Sequence, residues 1–185
     1  MNKVIYIEGS SDVENGNLRV AFAKLLEKEL KGNMPKIVMG NGKDQTIDKF
    51  YSTPLKINEF RFLLIDSDFF IIEKKSLCTQ FNDKKEKRLI DCTENNTYFM
   101  VQESEAWILS QPGILNNYNI KTHHLPVKNV MEITKPSEKL AELYQLSGMT
   151  YHKVRDFCKI FPEIDTPKLK VYFPEFNELI KTLSD

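Results

Sequence analysis

"FRFLLIDSDFF" (60–70) carries the clearest strand signal in the chain. Phe62, Leu63, Leu64 and Ile65 follow one another with no polar residue between them. An unbroken apolar run this short predicts a strand covered on both faces, as in a parallel sheet, rather than one with a wet face. Two carboxylates come straight after it, Asp66 and Asp68. If the backbone stays extended there, residues two apart point to the same side.

The flanking segments repeat the pattern. Upstream, "KVIYIE" (3–8) is a short β-branched run that ends on Glu8. Behind it, "SSDVENGNLRVAFAKLLEKELKG" (10–32) places Leu18, Phe22, Leu25, Leu26 and Leu30 at helical spacing. Ser11 and Glu14 have the spacing of a capping box, and Gly32 stands where a helix would stop. "PKIVMG" (35–40) reads as a second strand, followed by a loop and short helix ended by Pro54. "TYFMVQ" (97–102) reads as a fourth strand, leading into the helix "SEAWILSQ" (104–111), which stops at Pro112. Strands alternating with helical stretches predict βαβ units, so the fold class is α/β with a mainly parallel, Rossmann-like sheet flanked by helices. From Pro136 onward the pattern is helical. The expected organisation is an α/β domain over residues 1–135 and a helical C-terminal extension over 136–185, packed on the same domain.

Composition sets bounds on function. At 185 residues, with 26 basic and 26 acidic side chains, the chain supports one well-filled core and has no net charge to predict a partner. Cys78, Cys92 and Cys158 are odd in number and widely scattered, which argues against a disulfide framework or a zinc site and for a cytoplasmic location. Neither a signal-peptide pattern nor a membrane-length apolar run occurs. His123, His124 and His152 lack paired ligand spacing, and "GNGKD" (40–44) falls short of a phosphate-binding loop, so the chain is not read as a self-sufficient NTPase.

The acids follow the strands. Glu8 ends the first, Asp66 and Asp68 follow the third, and Glu103 and Glu105 follow the fourth. In an open parallel sheet these positions share the carboxyl edge, where such folds place their sites. Like charges so gathered repel, and a hard divalent cation such as Mg²⁺ relieves them. Each acid also has a structural reading. Glu8 would serve in a turn before Gly9, the aspartates in a turn after a strand, and nearby Asp12 as a helix cap or first-turn acid. Glu103 and Glu105 both suit a helix start. Glu105 shares a helical face with Ile108 and Leu109, however, and an acid turned to the core needs a compensating partner.

The segments "VIYIEGSSD", "FLLIDSDF" and "ESEAWILSQP" together resemble the Toprim fold, which carries a Glu after its first strand and a D-x-D after a later one. With "YHKVRDF" (151–157), they are most similar to small stand-alone Toprim-like bacterial proteins, domain-of-unknown-function family 4276. The resemblance implies a Mg²⁺-dependent nuclease domain, Mn²⁺ serving as a substitute, related to the overcoming-lysogenization-defect nucleases. It implies Glu8, Asp66 and Asp68 as catalytic metal ligands and Lys153 as a catalytic lysine meeting phosphate. Of the two glutamates it points to Glu105, directly before Ala-Trp, as a catalytic metal ligand, with Glu103 as the other candidate metal ligand. It also implies a partner ATPase in an anti-phage system, and a homodimer is compatible with it. The chain has no room for the separate tyrosine-bearing domain of topoisomerases, nor for the added modules of primases.

A second basic element is expected at residues 74–88. Lys84, Lys85, Lys87 and Arg88, with Lys74 and Lys75, outnumber the local acids by three, which suits phosphate contact or a solvated face. The expected function is Mg²⁺-dependent phosphodiester cleavage of DNA or RNA. The alternative is a non-catalytic metal-binding module that docks onto an ATPase.

Overall fold

The computed structural model describes residues 2–70, 73–84, 89, 96–125 and 132–185, without the side chains of Asp12 and Lys84. Its strands are β1 (Asn2–Gly9), β2 (Lys36–Asn41), β3 (Glu59–Asp66) and β4 (Thr97–Met100). They form one sheet in the order β2-β1-β3-β4, and every pairing is parallel. Nine α-helices occur among the described residues. They are α1 (Asp12–Leu30), α2 (Lys43–Ser52), α3 (Lys74–Lys84), α4 (Glu105–Leu109), α5 (Pro112–Asn116), α6 (Pro136–Leu146), α7 (Lys153–Ile160), α8 (Thr166–Tyr172) and α9 (Pro174–Ser184). This is the α/β, Rossmann-like class that the strand and helix pattern predicts. No helix among the described residues is long and apolar enough to cross a membrane.

Period-two alternation explains why the strands read as continuous apolar runs. Ile5, Ile7, Phe62, Leu64, Tyr98 and Met100 face one core, while Val4, Tyr6, Leu63, Ile65 and Phe99 face another. The second core is closed by α2 and α3 through Ile47, Phe50, Leu77 and Phe81. The first is closed by α1 and by the helices that follow β4, whose Leu143, Phe157, Phe161, Phe176 and Leu183 join the same cluster as Ile5 and Ile7. The helices from α7 onward therefore bury their apolar faces against α1 and the sheet, while α6 packs on α4. Trp107 is a packing residue at the centre of this layer, stacked on Phe161 at 5.7 Å and edge-on to Phe176 at 5.1 Å.

Two local expectations need correction. Ser11 is the N-cap of α1, in extended conformation, but its side chain makes no cap bond. Its hydroxyl instead donates to Glu14 Oε2 at 3.2 Å, beside the Ser10 hydroxyl at 2.8 Å. Cys78 is disulfide-bonded, although Cys158 is a free thiol. Proximity in the fold, not spacing along the chain, decides which thiols meet.

Candidate functional site

Four connections bring side chains to the carboxyl edge of the sheet. Glu8 follows the buried run Val4–Ile7 at the end of β1, and its Oε2 accepts the main-chain N–H of Asp66 at 3.0 Å. Asp66 is the last residue of β3, and its Oδ1 accepts the N–H of Ser104 at 3.0 Å. The Ser104 hydroxyl donates to Glu105 Oε2 at 3.2 Å, and Lys153, the first residue of α7, stands 3.6 Å from Glu105 Oε1. A pocket of about 160 Å³ opens among Glu8, Asp66, Ser104, Glu105 and Lys153, with Leu18, Phe22 and Phe157 as its apolar wall.

Burial governs the electrostatics. Glu105 is fully buried, and its Oε1 has no hydrogen-bond partner among the described residues. The 3.6 Å to Lys153 is an ion-pair distance, too long for a hydrogen bond. Desolvation pushes the Glu105 carboxyl up, with Lys153 opposing it. Asp66 is raised well above the usual aspartate range, first by desolvation and then by the charges of Glu8 and Glu105, against Lys43 and Lys153. Glu8 is raised by desolvation, while Lys43 and the Asp66 N–H oppose the rise. Burial alone would lower the Lys153 ammonium, but Glu105, Asp66 and Glu103 more than reverse it. Three carboxyls are thus pushed toward neutrality around one pocket.

The other predicted ligands do not line the pocket, although the charge of Asp68 still reaches Glu8 and helps to raise its carboxyl. Asp68 has φ of 60°, so the extended geometry that would align it with Asp66 is broken. The cause is the packing of the loop after β3 against the loop after β4. Asp68 N–H donates to Gln102 O at 2.9 Å, and the buried Ser67 hydroxyl accepts the Gln102 N–H at 2.7 Å. Asp68 turns instead to Lys43, at 2.5 Å. Glu103 does not enter the pocket either: its Oε2 accepts the Ser137 N–H at 2.7 Å, in the first turn of α6, where free N–H groups attract a carboxylate. Asp12 opens α1. Lys84 ends α3, and Lys85, Lys87 and Arg88 lie outside the described residues.

Lys43 and Ser104 are site residues that the sequence reading missed. Lys43 opens α2 just after β2, so the strand-end rule applied to the acids, extended to bases, points to it. Ser104 acts on Asp66 through a main-chain N–H, for which residue type gives no signal.

Among the described residues, no three His, Cys, Asp or Glu side chains stand close enough together to hold one cation as placed. By donor chemistry Glu8, Asp66 and Glu105 nevertheless suit a hard divalent ion, since all their donors are carboxylate oxygens and Glu105 Oε1 has no hydrogen-bond donor.

The family model "Domain of unknown function (DUF4276)" matches residues 8–184. The chain belongs to that family. The match takes in Glu8, Asp66, Glu105 and Lys153 together with α6 to α9, so site and helical layer fall within one DUF4276 unit. No curated protein and no solved structure matches the chain.

Proposed function

We propose that this DUF4276 protein is a divalent-metal-dependent phosphodiesterase acting on DNA or RNA, with a Toprim-like site. The observation that carries the reading is the pocket where Glu8, Asp66 and Glu105 converge from the ends of β1 and β3 and the segment after β4, each raised by burial. Glu8, Asp66 and Glu105 would hold Mg²⁺, with Mn²⁺ as a substitute. When bound, such an ion neutralises the carboxylates, polarises a phosphoryl oxygen and lowers the pKa of water. Lys153, whose side chain is 64% exposed, is placed to meet a phosphate oxygen at the rim. The Ser104 N–H fixes Asp66 and the Asp66 N–H fixes one Glu8 oxygen; as an alternative to ligating the ion, Glu8 would accept a proton from attacking water with the other.

A second reading, a non-catalytic module docking onto an ATPase, draws on Leu55, Ile57 and Phe60, which are 73%, 94% and 49% exposed around the start of β3. It is compatible with an anti-phage role for the pair. One experiment separates the readings: incubation with single- and double-stranded DNA and RNA in Mg²⁺, Mn²⁺ or EDTA, alone and with any ATPase encoded beside it. Cleavage that requires metal and is abolished in Asp66→Asn supports the nuclease. Cleavage indifferent to EDTA overturns it, and no cleavage under any condition leaves the docking module.

A further inference from the structure

A furrow of about 460 Å³ runs between α1 and α7, walled by Asn17, Ala21 and Lys24 on one side and Val154, Arg155 and Lys159 on the other. Val154 also lines the acidic pocket, so the furrow begins where the proposed site ends. Along α1 it spans from Glu14 to Lys24, roughly 15 Å at the helical rise. Its charge changes along that length. Glu14 is its one acid and stands at the end near the pocket, held by the Ser10 and Ser11 hydroxyls. The other charged side chains are Lys24, ten residues further along α1, and Arg155 and Lys159 on α7. Both lysines are exposed, and Lys159 stands over the Tyr118 ring at 4.9 Å. The Arg155 guanidinium bonds Asp156 through Nε and Nη2, and its side chain is still 67% exposed.

From this arrangement we infer that the α1/α7 furrow carries one sugar–phosphate strand away from the acidic pocket, with Lys24 and Lys159 each taking a phosphate. The inference rests on the nuclease reading for its ligand class. The furrow lies between two neighbouring helices and offers two exposed lysines, one on each wall, to the phosphates of a single strand. Ala21, without a long side chain, leaves room along the α1 wall. Three basic side chains and one acid line the furrow while three carboxyls line the pocket, so the strand meets repulsion at the pocket and attraction along the furrow. That gradient favours a substrate held by its flank with one phosphodiester presented to the acids.

The test is a salt titration of binding in EDTA, where cleavage does not intervene, using a fluorescent single strand of about 20 nucleotides. The comparison is wild type against Lys24→Gln/Lys159→Gln, which leaves the Arg155–Asp156 bonds intact. Lys36→Gln/Lys56→Gln is the control, removing the same charge at the opposite end of the sheet, where Lys36 opens β2 and Lys56 precedes β3. Expected is a loss of tenfold or more in affinity at low salt for the furrow variant, with the log–log slope reduced by about 1.4 for two contacts on a single strand. The control should bind as wild type does. Equal loss in both variants, or no loss in the furrow variant, overturns the inference while metal-dependent cleavage by the wild type would still stand. Furrow-dependent binding with no cleavage in Mg²⁺ or Mn²⁺ would keep the inference and overturn the nuclease. No binding by the wild type in EDTA overturns the inference, and the nuclease is then decided by cleavage in Mg²⁺ or Mn²⁺ alone.

Discussion

The main-chain N–H of Asp66 donates to Glu8 Oε2 at 3.0 Å. The parallel ladder between β1 and β3 ends at Ile7 and Leu64, and beyond it the Glu8 carboxylate takes the N–H that no further ladder residue of β1 serves. One side chain therefore closes the sheet and enters the pocket. A neutral amide at position 8 keeps the acceptor oxygen and removes only the charge, so fold and electrostatics can be perturbed separately by conservative substitution.

Asp66→Asn is expected to stabilise the protein in EDTA. A carboxyl raised in the folded state binds its proton more tightly folded than unfolded. Its contribution is present below the unfolded value of about 4 and is lost as pH climbs through the raised folded value. The gain of the Asn variant over wild type should therefore be larger at pH 8 than at pH 5. At pH 8 it should reach a few degrees in Tm, since about 1 kcal/mol moves a chain of this size by 2–4 °C. Paired thermal melts at the two pH values decide it, and a variant less stable than wild type at pH 8 would refute the electrostatic account.

Glu105→Gln and Glu103→Gln should part in their response to metal. Mg²⁺ or Mn²⁺ is expected to raise the Tm of the wild type by binding the folded state, and Glu105→Gln should lose most of that shift. Glu103→Gln should keep it, because its carbonyl oxygen still accepts the Ser137 N–H. Glu103→Ala should instead cost about 1 kcal/mol with or without metal, as loss of a helix cap does. The reverse order of the two Gln variants would show that Glu103 is the ligand.

Lys43→Met should raise the carboxyls of Glu8 and Asp66 further, since Lys43 opposes the rise of both. The acid limb of the pH–activity profile should then move to higher pH. Carboxyl ¹³C titration by NMR reads the effect directly, and resonances that titrate as in the wild type would remove Lys43 from the site.

Gly40→Ala should lower stability by about 1–3 kcal/mol, the usual cost of overpacking. A Cβ there would lie 2.7 Å from Thr46 Cα, which is backbone of α2 and cannot swing aside. The helix must shift and carry Lys43 with it, so the NMR signature of Lys43→Met should appear in part. Urea denaturation measures the first effect, and a neutral result would mean that α2 is less firmly seated than this contact requires.

Local order was legible along the chain. Unbroken apolar runs such as Phe62–Ile65 report a strand covered on both faces, and an acid at the end of such a run falls on the carboxyl edge whatever the rest of the chain does. Glu8, Asp66 and Glu105 were legible for that reason, and Glu105 also because it shares a face with Ile108 and Leu109, which are buried beside it. Packing decided which acids line the pocket. Asp68 leaves Asp66 because its backbone bonds Gln102, 34 residues on, and takes a positive φ, and Glu103 is claimed by the α6 N–H of Ser137, also 34 residues away. Lys43 and Lys153 reach the acids from α2 and α7. Periodicity reports the face a residue occupies. The hydrogen-bond and charge partners that fix a buried carboxylate come from distant segments, and their positions exist only once the chain is packed.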